Sequence, residues 1–115
     1  MRRDLLFLTE MIDAAEQAIH LVDRRSVEQI EADRTVKDAL MWNYTVLGEA
    51  SAKVSDELRA DHPEVPWRLA VALRNRIVPG YWSIDVDVVH ATSADQLPEL
   101  VRQLRQILEA EADRP

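Results

Sequence analysis

The chain has 115 residues, 47% of them apolar and 30% charged, which suits one globular domain over residues 1–115 and leaves no room for a second. Two glycines and five prolines, set against abundant Ala, Leu, Glu, Asp and Arg, are the composition of a helical protein rather than a sandwich or barrel. The absence of cysteine excludes a disulfide framework and a thiolate metal site, and a net charge of −7 argues against broad binding to a long nucleic acid such as DNA.

The charge is unevenly distributed. Residues 1–47 carry 6 basic and 9 acidic side chains and residues 83–115 carry 3 and 7, whereas 48–82 carry 5 of each. An anion-binding surface is therefore expected in the middle of the chain, while acidic flanks by themselves would serve only solubility. No apolar run approaches the roughly 20 residues that a spanning helix needs. The apolar residues after Met1-Arg2-Arg3-Asp4 are soon interrupted by Glu10 and Asp13, unlike those of a signal peptide. No membrane association and a cytoplasmic location are the expectations.

The first element runs from about Arg3 to Asp23. Leu5, Leu8, Ile12, Ala15, Ile19 and Val22 recur in steps of three and four, the period of an amphipathic helix. Leu6, Met11 and Ala18 widen the stripe enough for more than one packing partner. Arg24-Arg25 places positive charge at the helix C-terminus, where the macrodipole favours it. Ser26-Val27-Glu28-Gln29 reads as a capping box opening a short helix to about Ala32. A long helix is predicted from about Thr35 to Asp61, with a stripe of Val36, Leu40, Asn43, Leu47, Ala50, Val54 and Leu58. Asn43 reads as a hydrogen-bonded core or interface amide. Gly48, which costs roughly 1 kcal/mol relative to Ala in a helix, marks a point where another backbone or helix approaches closely.

His62-Pro63-Glu64-Val65-Pro66 breaks the pattern, and Pro66 suits the first turn of a new helix, where its missing N–H would be unpaired anyway. That helix holds Trp67, Leu69, Ala70, Leu73 and Ile77. It is expected to end at Pro79-Gly80, because Val78 precedes a proline and Gly80 can take a left-handed turn. Ile84 to about Ala91 alternates like a strand, but a lone strand has no partner in a helical chain, so helix is predicted. Ser93-Ala94-Asp95-Gln96 reads as a second capping box, opening a last helix to about Ala110 that buries Leu97, Leu100, Val101, Leu104, Ile107 and Leu108. The expected architecture is all-α, an up-and-down bundle of four to six helices.

No Gly-rich phosphate loop, zinc-type histidine spacing or nucleophile elbow is present. His20, His62 and His90 lie far apart and read as ordinary surface or packing residues; no metal and no cofactor are expected. The segment from Leu73 to Tyr81 differs. Arg74 and Arg76 flank Asn75 near a helix end, and Tyr81 follows a Pro-Gly turn. The planar fork of arginine suits a phosphodiester, Asn75 can bond a ribose hydroxyl or orient a neighbour, and Tyr81 offers an aromatic face and a phenol. On spacing alone, a solvated basic helix end beside a core tyrosine is the better reading.

Leu73-Arg74-Asn75-Arg76-Ile77-Val78-Pro79-Gly80-Tyr81, followed by Ile84-Asp85, closely resembles the signature of HEPN domains of the HepT toxin family. The resemblance covers nearly the whole chain. Ala32-Asp33-Arg34 with Ala39, Leu47-Gly48-Glu49-Ala50 and Pro63-Glu64-Val65-Pro66-Trp67 are similar to recurrent positions of that family, in the same order. The family motif is Arg, four residues, His, one residue, Tyr. Arg74 and Tyr81 match its ends, Asn75 matches the usual polar residue after the arginine, and Pro79 stands where the family has histidine.

The resemblance implies a HEPN-type bundle, usually dimeric, acting on RNA as a metal-independent endoribonuclease toxin and paired with an MNT-type nucleotidyltransferase antitoxin. It implies attack of a ribose 2′-hydroxyl on the adjacent phosphodiester, with the motif imidazole moving the proton. Arg74 would steady the charge on phosphorus and Asn75 would support it. Arg74, Arg76 and Tyr81 would contact RNA, and Tyr81 would accept AMP from the antitoxin. Glu49 would either orient the motif or serve structure alone. Proline has neither a titratable group nor an N–H, so this chain is expected to keep the fold with little or no ribonuclease activity. A catalytically dead helical partner of a nucleotidyltransferase is the alternative, and a helical adaptor with no catalytic ancestry is a third. The wide stripe of the first helix, with Trp42, Trp67 and Trp82, suggests more apolar surface than a small bundle buries alone, and a twofold homodimer is its simplest outlet.

Overall fold

The computed structural model describes residues 2–74 and 86–113, the side chains of Arg2, Leu73 and Arg74 excepted. Among these residues lie seven helices and no strand: α1 (Arg2–Val22), α2 (Val27–Ala32), α3 (Arg34–Lys53), α4 (Asp56–Asp61), α5 (Trp67–Arg74), α6 (Val86–Asp95) and α7 (Leu97–Ala112). The all-α architecture is as the sequence predicts. The number of helices exceeds the expected four to six because one predicted helix is two.

Leu8, Met11, Ile12, Ala15, Ala18 and Val22 of α1 are buried, and α1 packs against α3, α6 and α7 together. The wide stripe thus finds its several partners inside the chain. Leu6, 55% exposed, is the member left in solvent. Of the tryptophans, Trp67 is buried in the core and Trp42 is exposed, while Trp82 lies outside the described residues. Most of the apolar surface that suggested a second copy is therefore covered within one chain.

Arg24, at φ 60°, turns the chain between α1 and α2. Arg25 donates from Nη1 to the carbonyl of Leu21, placing its charge on the C-terminal end of α1 as the macrodipole favours. The capping box of α2 is fully formed: Gln29 N–H donates to Ser26 Oγ at 3.1 Å, and Ser26 N–H donates to Gln29 Oε1 at 2.8 Å.

The helix predicted from Thr35 to Asp61 breaks at Val54–Ser55. Val54 is extended (φ −62°, ψ 138°), and Ser55 caps α4 by accepting from the N–H of Leu58. Asp4 of α1 holds the break: its carboxylate accepts from Ser55 N–H at 2.9 Å and from Ser55 Oγ at 2.7 Å. Val54 and Leu58 are both buried, so the apolar period runs through a junction that is not helical. Asn43, read as a hydrogen-bonded core or interface amide, is hydrogen-bonded and half-buried: it donates to Ala39 O of its own helix, while its neighbour Tyr44 enters the core.

The segment read as Ile84–Ala91 is helical from Val86, as predicted over strand. The second capping box is not one, because α6 runs through Ser93 to Asp95. Ser93 is fully buried and donates to Val89 O, so its hydroxyl serves packing rather than a helix start. Gln96 precedes α7 with no side-chain cap, and Pro98 sits in the first turn. On α7, Leu97, Leu100, Val101, Leu104 and Ile107 are buried and Leu108 is partly so. No helix among the described residues is long and apolar enough to cross a membrane.

Candidate functional site

The sequence places its chemistry on α5 and the eleven residues after it. Pro66 opens α5 as expected, and two hydrogen bonds fix that opening. Trp67 Nε1 donates to His62 O at 2.9 Å, and Trp67 O accepts from the buried hydroxyl of Ser51 on α3 at 2.8 Å. Val65, Trp67 and Ala70 are buried beneath. Gly48 lies one turn before Ser51 on α3 and is itself buried, as a residue at a close helix approach should be. Arg74 is the last described residue of α5, about 10 Å along the axis from Trp67 at 1.5 Å per residue.

Asn75, Arg76, Pro79 and Tyr81 lie outside the described residues, as does the side chain of Arg74. Both ends of the intervening segment are nevertheless located. Its start follows α5, which Ser51 ties to α3. Its end enters α6, which Tyr44 ties to the same helix: the Tyr44 hydroxyl donates to Val89 O at 3.2 Å and lies 2.7 Å from Ser93 Oγ. Tyr44 and Ser51 are seven residues apart, two turns on one face of α3. The anchors of α5 and α6 thus share one face of α3.

Tyr44 is fully buried, and that burial pushes its phenol up to about 12, against a smaller opposing effect of the bond with Ser93. A neutral phenol in that place acts as a structural pin. The sequence reading missed it because Asn43, not Tyr44, was assigned to the stripe. The signal was available, since Tyr44 stands four residues after Leu40 and three before Leu47, both of them core.

Glu49 occupies an exposed position of α3, two residues before Ser51. The three histidines serve separate places. His20 is exposed on α1. His62 caps α4 and faces Glu64 at 3.4 Å, and His90 of α6 bonds Arg25 O through Nε2 at 2.6 Å. Among the described residues, no group of three or more His, Asp or Glu side chains is placed to hold a metal ion.

A cleft of about 740 Å³ opens beside the start of α5, lined by Arg59 of α4, by Pro63, Val65 and Pro66, and by Trp67 and Arg68. Arg68 is exposed and, among the described residues, has no carboxylate partner.

Comparison with known proteins extends these findings from single residues to the chain. Over 105 residues it is 26% identical to a protein of Caldanaerobacter subterraneus subsp. tengcongensis named as a candidate RNase, covering 91% of this chain and 94% of that protein. Over 94 residues it is 26% identical to a protein of Thermococcus cleftensis named probable ribonuclease HepT, covering 82% and 86% of the two. A third relative, from Methanocaldococcus jannaschii and also named as a candidate RNase, is 22% identical over 108 residues, covering 93% of this chain and 89% of its own. No solved structure matches the chain. The family described as ribonuclease HepT-like matches residues 11–107, a span from α1 through α7 that includes all of segment 75–85. The chain is therefore a member of the HepT-like ribonuclease family.

Proposed function

We propose that residues 1–115 form one HEPN domain, the toxin component of a toxin–antitoxin pair, built as a metal-independent endoribonuclease that cleaves RNA by 2′-hydroxyl attack. The observation that carries this reading is family membership across residues 11–107, combined with Arg74 and Tyr81 standing at the two ends of the family motif. Arg74 neutralises charge developing on the phosphorus, Asn75 supports it, and Arg76 and Tyr81 contact the RNA. Glu49 supports the motif from α3. The domain works as a homodimer, which brings two motifs to one cleft.

Pro79 occupies the position of the proton-moving histidine. A proline side chain can neither accept nor donate a proton, and removal of a general acid–base group typically lowers a rate by about 10²–10⁴. This copy therefore binds RNA but cleaves it little or not at all. Its proline replaces histidine in an otherwise retained motif, which favours an inactivated toxin over a site released to drift. Installing Pro79→His and assaying growth arrest and RNA cleavage tests the reading. A gain in both supports it, and no gain in either overturns it.

The alternative is a catalytically dead binding partner of a nucleotidyltransferase. Pro79 itself favours this second reading, since partner binding needs no imidazole. In both readings Tyr81 is the residue to which an MNT-type antitoxin transfers AMP, placing a bulky anion where phosphate would bind. Intact-mass measurement after incubation with the antitoxin and ATP tests the site. An equal mass gain in a Tyr81→Phe variant overturns it.

A further inference from the structure

Among the described residues, two large apolar side chains stand mostly in solvent, Leu6 at 55% exposure and Trp42 at 65%. Their surroundings differ. Leu6 lies one turn from Arg3 and Glu10 on α1, and a single apolar residue among charges needs no partner. Trp42 lies within residues 39–48, ten in a row without Asp, Glu, Lys, Arg or His, the longest such run in a chain that is 30% charged. As helix, the run covers about 15 Å of α3. One side of it, through Leu40, Tyr44 and Leu47, is buried in the core. The other side would carry charge on an ordinary surface helix. Here it presents Trp42, with Ala39, Asn43, Thr45 and Val46 half-buried around it.

No cation within that run can meet a phosphate, so the face suits protein rather than RNA. The charges at its two ends are arranged so that a second copy can use them. Arg34 lies eight residues before Trp42; its side chain is 83% exposed and holds Asp38 only at 3.5 Å. Glu49 lies seven residues after Trp42, at an exposed position. When two α3 helices cross antiparallel on a twofold axis at Trp42, positions equally far before and after Trp42 oppose one another. Ala39, three residues before, then meets the partner's Val46, four residues after. Arg34, about 12 Å before, meets the partner's Glu49, about 10 Å after, along the same edge of the stripe. The uncharged centre matters as much, because each chain carries −7 and two copies can approach here without setting acid on acid at the middle of the contact.

We propose that the solvent face of α3 centred on Trp42 is the surface through which two copies of this chain pair, antiparallel about a twofold axis, with the two Trp42 rings packed at that axis. It rests on the homodimer reading above and adds the face and the orientation. A central aromatic anchor ringed by polar side chains is how binding energy is commonly distributed across a protein interface. The Asn43 amide and the Thr45 hydroxyl already donate to Ala39 O and Met41 O of their own helix, so these bonds persist when water leaves the contact. The contact is short, about three turns of helix, which places the pair among weak, exchanging dimers rather than obligate ones.

The test is sedimentation equilibrium of the full chain from about 1 to 200 µM, with far-UV circular dichroism to check the fold of each variant. The unaltered chain is expected to pass from monomer to dimer across that range. Trp42→Glu sets two carboxylates together at the axis and should leave only monomer, with helicity unchanged because the side chain it removes stands in solvent. Trp42→Ala adds no charge and should raise the dissociation constant about tenfold or more, so the result does not depend on the glutamate variant alone. Arg34→Glu, set against the partner's Glu49, should weaken pairing severalfold. Leu6→Glu, at the other exposed apolar residue, should leave it unchanged. If both Trp42 variants dimerise like the unaltered chain, this face is wrong and the homodimer reading stands. A dimer that Arg34→Glu leaves untouched overturns the antiparallel arrangement. An unaltered chain that stays monomeric at the highest concentration overturns the face and the homodimer reading together.

Discussion

The carboxylate of Asp4 receives two hydrogen bonds from Ser55, one from its backbone N–H and one from its hydroxyl, across 51 positions of sequence. This contact binds the start of α1 to the point where α3 gives way to α4. It also holds the residue that caps the start of α4. Asp4 is 5% exposed while Ser55 is exposed, so the two bonds are part-buried at the edge of the core.

Removing the carboxylate should therefore be expensive for a residue so near a terminus. Asp4→Ala loses two hydrogen bonds to Ser55, an expected loss of about 1–3 kcal/mol. Ser55→Ala keeps the backbone bond but loses the α4 cap, at about 1–2 kcal/mol. Urea denaturation of the two variants checks this order. A loss below about 0.5 kcal/mol for Asp4→Ala would show that the junction holds without it.

Tyr44 supplies a pH-dependent prediction. Its phenol titrates near 10 in the unfolded chain and at about 12 in the folded one. The stability gained by keeping it neutral is fully present below pH 10 and is lost as pH rises through 12. Two units correspond to about 2–3 kcal/mol. Tyr44→Phe cannot titrate, so the unaltered protein should lose about that much relative to the variant between pH 10 and 12. Below pH 10 the order reverses, and the variant should be less stable by about 1–2 kcal/mol for the lost bond to Val89 O and Ser93. Thermal unfolding of both proteins at pH 8 and at pH 11.5 measures the crossover.

Gly48 can be distinguished from an idle helical glycine by a single methyl group. At a free position in a helix, Gly→Ala gains about 1 kcal/mol. Gly48 is buried beside the seat of α5, so Gly48→Ala should not stabilise, and Gly48→Val should lose about 1–3 kcal/mol through overpacking. A clear gain in melting temperature for Gly48→Ala would mean that nothing approaches there.

Restoring the motif gives the catalytic prediction. Pro79→His should raise cleavage of a fluorescent oligoribonucleotide by about 10²–10⁴ over the unaltered chain. Adding Arg74→Gln to that variant should remove about 10² or more of the gain, since the charge on phosphorus loses its clamp. Equal rates with and without Arg74 would exclude it from the chemistry.

The sequence by itself determined the helical class, the family and most of the buried faces. Periods of three and four in α1 and α7 follow from a helix having 3.6 residues per turn with one side dry, and Leu8, Ile12, Leu100 and Leu104 are buried accordingly. The capping box at Ser26 and the start of α5 after Pro66 were legible for the same local reason: each depends on groups within a few residues. What only the tertiary structure decided was set by partners far along the chain. Ser55 ends a helix because Asp4 reaches it, although Val54 and Leu58 keep the apolar period. Ser93 fails as a cap because Tyr44, 49 positions away, engages its hydroxyl inside the core. For the site itself, the motif was readable as a string, but the seating of α5 and α6, the helices on either side of it, against one face of α3 rests on Ser51 and Tyr44. Each bonds a group more than a dozen residues distant, and no local pattern encodes such a bond.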